Sequence, residues 1–150
     1  PYCLMRGTAL AEGIGEKLTR LPSVPRCPVV IAKPGISVST KWVYDRLILN
    51  EQTCHPDIDQ LLTDIREQDL KKIASHMGNI LEEVTVKEYP VIARIKEILL
   101  ENGALNAMMS GSGPTVFALF EERSQAREAA DVLRASDLAR QIYVTTLFNV

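Results

Sequence analysis

The clearest hydrophobic pattern in the chain predicts an α-helix over residues 88–102. Apolar side chains recur there at the i, i+4, i+7 and i+8 spacing that places them on one face of a helix. These residues are Val91, Ile92, Ile95, Ile98 and Leu99. Pro90 suits the first helical turn, and Gly103 suits the residue after the last turn.

Shorter amphipathic segments predict four further helices. Residues 41–49 follow Ser39 and Thr40, either of which could supply a side-chain cap. Residues 56–67 and a short segment after Asp69 follow the same spacing. A last helix, capped by Ser124, is predicted to end near Ala135. The expected inward residues are Ile58, Leu61, Leu62, Ile65, Leu70, Ile73, Ala74, Ala126, Ala129, Ala130 and Leu133.

Short apolar runs predict four strands, over residues 29–32, 107–109, 115–120 and 141–148, and β-branched residues occur in all but the second. Residues 8–21 read as a hairpin because Gly13 and Gly15 interrupt two partly alternating runs. From residue 29 onwards the order is strand, helices, strand, strand, helix, strand. This order predicts an α+β, ferredoxin-like fold with a four-stranded antiparallel sheet and helices on one face.

The composition is that of an ordinary globular domain. Of the 150 residues, 46% are hydrophobic and 24% charged, and the net charge of −2 gives no electrostatic drive toward nucleic acid or an anionic membrane. No apolar run approaches the roughly 20 residues that cross a bilayer. The widely spaced Cys3, Cys27 and Cys54 are interpreted as free thiols. His55 and His76 show no spacing that suggests a metal site.

The clearest candidate for a ligand-binding loop is residues 110–114, Ser-Gly-Ser-Gly-Pro, between the two middle strands. The N–H groups of Gly111, Ser112 and Gly113 could form an anion-binding concavity. A structural turn explains the same residues equally well. A dinucleotide-binding motif is excluded, since a strand follows the glycines where that motif needs a helix. No G-x-x-x-x-G-K-[ST] sequence is present, which excludes a P-loop.

Three stretches together resemble the GHMP kinases. Residues 108–117, Met-Met-Ser-Gly-Ser-Gly-Pro-Thr-Val-Phe, are similar to the glycine-rich turn that forms the third signature of this family. Residues 7–16, Gly-Thr-Ala-Leu-Ala-Glu-Gly-Ile-Gly-Glu, and residues 33–40, Lys-Pro-Gly-Ile-Ser-Val-Ser-Thr, resemble two further family segments. They occur in the family's order and at about its spacings.

This resemblance implies the carboxy-terminal half of a bacterial, cytoplasmic, ATP-dependent kinase of the non-mevalonate isoprenoid route. It implies ATP and Mg²⁺ as cofactors of the intact enzyme and cytidine diphosphate methylerythritol as the small-molecule substrate. It also implies that residues 1–22 are a hairpin-like remnant of the amino-terminal domain and that residues 23–150 form the carboxy-terminal domain. The family's catalytic lysine, aspartate and main phosphate loop would all lie upstream of Pro1. The chain alone is therefore expected to contain no catalytic residue and to be inactive, with no ligand bound.

The resemblance also assigns the candidate site residues. Gly111, Ser112 and Gly113 would approach the ATP phosphates or brace the main phosphate loop. Thr40 would line the substrate pocket, although a helix cap is an equally good interpretation. Tyr44 would stack on the cytosine of the substrate or, alternatively, pack against its helix. No metal-binding residue is assigned.

Other features carry less specific interpretations. Asp45, Asp57, Asp64 and Asp69 fall on predicted helices or their ends, and we interpret them as solvated charges or caps. Without neighbouring strands, residues 8–21 would expose an unpaired edge, which predicts self-association through this segment or its disorder. Two alternatives remain at this stage: another GHMP kinase of the homoserine or mevalonate type, or a ferredoxin-like ligand-binding or interaction module.

Overall fold

A computed structural model describes residues 7–50, 53 and 55–147, and these residues form six strands and six helices. The strands are β1 (Thr8–Glu12), β2 (Lys17–Leu21), β3 (Pro28–Lys33), β4 (Asn106–Met109), β5 (Val116–Leu119) and β6 (Gln141–Thr146). The helices are α1 (Thr40–Arg46), α2 (Ile58–Glu67), α3 (Leu70–His76), α4 (Glu82–Glu88), α5 (Pro90–Glu101) and α6 (Arg123–Ala135). Cys3, Cys54 and Phe148 lie outside the described residues.

The last four strands form one antiparallel sheet in the order β4-β5-β3-β6. Val30 stands at its centre, paired with Ala118 of β5 and with Val144 of β6. The two strands that are adjacent in sequence, β4 and β5, pair as a hairpin. This order is the ferredoxin-like one, and the predicted fold class is confirmed.

The main core lies between the sheet and the helices α5 and α6. Every inward residue predicted for α6 is fully buried: Ala126, Ala129, Ala130 and Leu133. Three of these four are alanines, so little side-chain volume separates the helix from the sheet. From α5, Ile92, Ile95 and Leu99 are fully buried in the same cluster. Hydrophobic periodicity therefore identified the layer that supports the sheet.

A smaller cluster covers part of the opposite face of the sheet. Val29 and Leu119, which are cross-strand partners, pack there with Cys27 and with Ala74 of α3. Successive strand residues point to opposite faces of the sheet. Val30 therefore lies in the main core, and Val29 lies in the smaller cluster. Burial raises the pKa of the Cys27 thiol, as expected for a desolvated cysteine. The structure thus adds one helix to the face that the sequence left uncovered.

Three local predictions are corrected. The sequence analysis assigned no helix to residues 82–88, where the structure has α4. Helix α6 begins at Arg123 with no side-chain cap, so the predicted cap at Ser124 is wrong and Ser124 lies in the first turn. Helix α1 ends at Arg46, and its C-cap Leu47 is already extended, so the helix stops short of the predicted Leu49.

The hairpin predicted for residues 8–21 is present as a separate two-stranded sheet, in which Thr8 pairs with Leu21 and Glu12 with Lys17. Gly13 and Gly15 both adopt positive φ in its turn, a conformation that glycine reaches without strain. The assignment of residues 1–22 to a preceding domain stays a prediction, and residues 1–6 lie outside the described part. No helix in that described part is long and apolar enough to span a membrane.

Candidate functional site

Two loops meet at one end of the four-stranded sheet. Ala32, near the end of β3, pairs with Val116 at the start of β5, and Met109 at the end of β4 pairs with the same residue. The loop after β3 and the glycine loop (residues 110–115) therefore leave the sheet at the same end. A hydrogen bond joins them: the Thr40 and Ser112 hydroxyl oxygens lie 2.8 Å apart.

The glycine loop is a tight turn closed by its own backbone. The Ser110 N–H donates to the Thr115 carbonyl at 2.8 Å, and the Gly113 N–H donates to the Ser110 carbonyl at 3.0 Å. Gly111 and Gly113 have φ of +56° and +88°, and the Gly113–Pro114 peptide bond is cis. Both glycines are therefore required by backbone conformation, as the turn interpretation expects.

The loop nevertheless leaves two donors free. Within the described residues, the N–H groups of Gly111 and Ser112 have no hydrogen-bond partner. The carbonyl of Gly111 accepts from Asn79 and that of Ser112 accepts from Thr85. In a trans peptide the C=O and the following N–H point in opposite directions, so the Ser112 N–H points away from Asn79. A turn with two consecutive free N–H groups can bind an anion.

Thr40 is the first residue of α1, but it is not the side-chain cap. Ser39 fills that role, since its hydroxyl accepts from the Trp42 N–H at 3.3 Å. The two cap candidates of the sequence are thereby separated. The Thr40 hydroxyl instead contacts Ser112.

Tyr44 lies one helical turn after Thr40, on the same side of α1. Tyr44 is 59% exposed, so it is not part of the core, and its stacking role stays a prediction. Trp42 takes the packing role instead: its ring meets Tyr89 edge-on at 6.1 Å and lies under the Arg46 guanidinium at 4.4 Å. Tyr44 is thus open to solvent one helical turn from Thr40, the residue that joins the two loops.

The acidic residues divide into two groups. Asp57 and Asp69 cap α2 and α3, as interpreted from the sequence. Asp64 contradicts that interpretation because it is fully buried. It accepts from the Gln60 side chain at 2.9 Å and contacts the His76 Nδ1 at 2.5 Å. Burial opposes its ionisation, but the hydrogen bonds from Gln60 and His76 and the nearby charge outweigh burial and lower the pKa of Asp64.

No trio of histidine, cysteine or carboxylate side chains that could hold a metal ion occurs among the described residues. Mg²⁺ in nucleotide sites is usually held by one or two carboxylates together with substrate phosphates, so such an ion does not require a trio of this kind. The glycine loop offers free backbone N–H donors of the kind that bind an anion.

Asn79 and Thr85 contact the glycine loop, and Glu82 contacts Met109 just before it; none of the three was predicted from the sequence. One local signal exists: the Asn79 side-chain oxygen accepts from the Leu81 N–H at 3.0 Å, the short turn typical of asparagine just before a helix. The contacts with the loop span 27 to 32 residues, and no local pattern reports them.

Comparison with known proteins identifies close relatives. The family model for the carboxy-terminal region of GHMP kinases matches residues 61–137. A 4-diphosphocytidyl-2-C-methyl-D-erythritol kinase of Lachnospira eligens is 55% identical over 149 residues, which are 99% of this chain and 52% of the relative. One of Lachnoclostridium phytofermentans is 53% identical over 149 residues, 99% of this chain and 51% of the relative. The chain spans about half the length of the curated relatives it matches.

Solved structures agree with the fold. A crystal structure of 4-(cytidine 5'-diphospho)-2C-methyl-D-erythritol kinase superposes with a TM-score of 0.77 at 29% identity, covering 99% of this chain and 52% of the other. Homoserine kinase from Cytophaga hutchinsonii superposes with a TM-score of 0.73 at 24% identity, covering 99% of this chain and 49% of the other. The second likeness shows the shared fold alone.

Proposed function

This chain belongs to the GHMP kinases, and from that membership we propose that it forms the carboxy-terminal half of a 4-diphosphocytidyl-2-C-methyl-D-erythritol kinase. The intact enzyme would transfer the γ-phosphoryl group of ATP to the 2-hydroxyl of the cytidylyl substrate. This reaction belongs to the non-mevalonate synthesis of isoprenoid precursors. The relatives that carry this name cover nearly the whole chain.

The observation that carries the proposal is the hydrogen bond between Thr40 and Ser112. It joins the segment that resembles a substrate-binding loop to the segment that resembles a phosphate-binding loop. A kinase must hold its alcohol and its nucleotide phosphates next to each other, because phosphoryl transfer depends mainly on positioning and charge stabilisation. The two residues are 72 positions apart in sequence, so the fold creates this junction.

At such a junction, the free N–H groups of Gly111 and Ser112 would donate hydrogen bonds to the nucleotide phosphates. Charge is spread over the phosphoryl oxygens during transfer, and fixed backbone donors stabilise it without reorganising. ATP supplies the transferred group when bound. Mg²⁺, when bound together with ATP, would neutralise charge on the phosphoryl oxygens.

Tyr44 would bind the cytosine. A base stacks on any flat aromatic face, and stacking contributes roughly 1–3 kcal/mol per base. A ring that is 59% exposed and one helical turn from Thr40 meets the requirement for such a contact. The Thr40 hydroxyl would bind the polar part of the same substrate.

The alternatives are less well supported. Kinases of the homoserine and mevalonate type share the fold at 24% and 20% identity, whereas the named relatives reach 55% and 53%. A binding module without catalysis is disfavoured by the same relatives, because kinases of this name cover 99% of the chain.

A chimera tests the proposal. The upstream half of the Lachnospira eligens relative is joined to Pro1 of this chain, and ADP release is measured with the cytidylyl substrate, homoserine or mevalonate. We expect turnover with the cytidylyl substrate alone. The isolated 150-residue chain should show none, because the family's lysine, aspartate and main phosphate loop are expected in the upstream half. Turnover of homoserine or mevalonate by the chimera would contradict the proposal. An isolated chain whose rate of ADP release came within tenfold of the chimera's rate would also contradict it.

A further inference from the structure

We infer that Asn79, Glu82 and Thr85, here called the loop brace, are positioning residues that turn the free N–H groups of the glycine loop toward the nucleotide phosphates. The inference rests on the proposed function and assigns a role to side chains that the family resemblance did not single out. None of the three belongs to the loops that meet at Thr40 and Ser112. Asn79 and Thr85 bind backbone carbonyls of the glycine loop, and Glu82 binds the backbone of the preceding residue in β4.

Asn79 uses its whole side chain for this purpose. Its Nδ2 donates to the Met109 carbonyl at 2.8 Å and to the Gly111 carbonyl at 2.7 Å. Its Oδ1 accepts from the Leu81 N–H at 3.0 Å. That third bond fixes which end of the amide faces the loop, because only the nitrogen end can donate to two carbonyls.

Glu82 holds the point where β4 runs into the loop. Its Oε1 accepts from the Met109 N–H at 2.6 Å, and its Oε2 binds the Lys96 ammonium. Strand β4 is an edge strand, whose outward N–H and C=O groups lack a neighbouring strand. Glu82 and Asn79 take the outward N–H and C=O of Met109 in place of such a strand. The side chains of Glu82 and Lys96 are only 18% and 22% exposed, so this tether is largely shielded from water.

Thr85 fixes the next peptide. It is fully buried, and its hydroxyl donates to the Ser112 carbonyl at 3.2 Å. Its methyl group lies close to the position that a side chain on Gly113 would occupy. A hydroxyl with no exposure to water has this carbonyl as its partner, and losing either group would leave the other unsatisfied.

Asn79 orients one free donor directly, and Thr85 orients the other through the loop. Thr85 holds the Ser112 carbonyl, so the Gly113 N–H of the same peptide faces the Ser110 carbonyl. That bond in turn leaves the Gly111 N–H, on the opposite side of the Ser110 peptide, free. Because C=O and N–H are opposed in a trans peptide, holding the Gly111 carbonyl on Asn79 sends the Ser112 N–H away from the brace. If that peptide rotated, it would present a carbonyl oxygen to the phosphate and replace attraction by repulsion. The brace touches no ligand, so it acts on the reaction only through this orientation.

The test uses the chimera with Thr85→Val, Thr85→Ser and Asn79→Asp. Thr85→Val keeps the shape and removes the hydroxyl, and we expect kcat to fall about tenfold or more, since fixed donors at a transition state carry effects of this size. Thr85→Ser keeps the hydroxyl and should return kcat to within about threefold of the unmodified chimera. Asn79→Asp places a carboxylate against two carbonyls and should lower kcat more than Thr85→Val does. The KM for the cytidylyl substrate should change little in all three variants.

Thr63→Val is the matched control, because the Thr63 hydroxyl bonds only within α2, to the Asp59 carbonyl at 3.0 Å. A Thr85→Val variant that melts earlier but keeps its kcat would overturn the inference and reduce the brace to a structural contact. If the unmodified chimera were inactive, the proposed function would fail by itself. The brace is then judged by hydrogen exchange: the Gly113 amide should exchange faster in Thr85→Val than in Thr85→Ser, and equal rates would refute it.

Discussion

At the scale of single residues, the two glycines of the loop differ in what they tolerate. An added Cβ on Gly113 would lie 2.6 Å from the Met109 sulfur, and the residue has φ of +88°. An added Cβ on Gly111 would meet no atom within 4 Å, so only its φ of +56° resists substitution. Space and conformation both restrict Gly113, whereas conformation alone restricts Gly111.

Gly113→Ala is therefore predicted to destabilise the chain more than Gly111→Ala. Gly111→Ala should lower the free energy of unfolding by about 1–2 kcal/mol, the penalty of a left-handed conformation. Gly113→Ala adds a steric clash, so its loss of stability should exceed that of Gly111→Ala by about 1 kcal/mol or more. Urea denaturation of the two variants measures the difference, with Gly111→Asn as a control because asparagine tolerates this conformation. Equal losses would show that Met109 moves aside without penalty.

Tyr44 provides the second prediction at this scale. In the chimera, Tyr44→Ala should weaken binding of the cytidylyl substrate by roughly 1–3 kcal/mol, seen mainly in its KM. Tyr44→Phe keeps the ring and should be nearly silent, and the KM for ATP should hardly change in either variant. A fall in melting temperature with an unchanged KM would instead assign Tyr44 to packing.

At the scale of elements, the Asp64–His76 contact fastens α2 to α3. The pKa of Asp64 is lowered in the folded chain, so the unfolded chain binds its proton more tightly. The stability that Asp64 contributes is then fully present above the unfolded pKa of about 3.9. It is lost as the pH falls through the lower folded pKa.

We accordingly predict that Asp64→Asn is less stable than the unmodified chain at pH 7 and that this difference shrinks as the pH falls below about 4. Asparagine keeps the shape of the side chain and removes its titration. Melting temperatures of both proteins, measured from pH 7 down to pH 2.5, give the comparison. If the melting temperatures of the two proteins fell in parallel over that pH range, the titration of Asp64 would not contribute to the loss of stability in acid.

The elements also show what local sequence can report. Helix α5 repeats its apolar positions over twelve residues, and its buried face was predictable. Helix α4 has seven residues, lacks a side-chain cap and buries a threonine, so tertiary contacts rather than its own periodicity establish it. Composition revealed the glycine loop, but its brace depends on contacts between segments remote in sequence. The glycine loop was thus predictable from the sequence, whereas the side chains that hold it in place were not.

At the scale of the whole molecule, the hairpin and the four-stranded sheet are hydrogen-bonded separately. Two-stranded hairpins are marginally stable alone, and both outer edges of this one lack a described neighbouring strand. The turn also carries Ile14, which is 99% exposed. Residues 8–21 are therefore the part of the chain that stands to gain most from an added strand.

The isolated 150-residue chain is predicted to self-associate through this hairpin. Sedimentation at protein concentrations from 1 to about 100 μM should show a concentration-dependent dimer or larger species, a range chosen to detect the weak interfaces of small contacts. A chain that starts at residue 23 should remain monomeric under the same conditions. If both proteins behave as monomers, the hairpin is not the associating surface.

The single hydrogen bond between Thr40 and Ser112 has a thermodynamic consequence for the proposed enzyme. Each hydroxyl restrains the loop that would meet the other ligand, so the alcohol and the nucleotide no longer bind independently. Linkage requires the two effects to be equal: whatever factor ATP adds to the affinity for the alcohol, the alcohol must add to the affinity for ATP. Two loops joined at one point would thus couple the two ligands equally in both directions, and this coupling would set the share of enzyme present as the ternary complex.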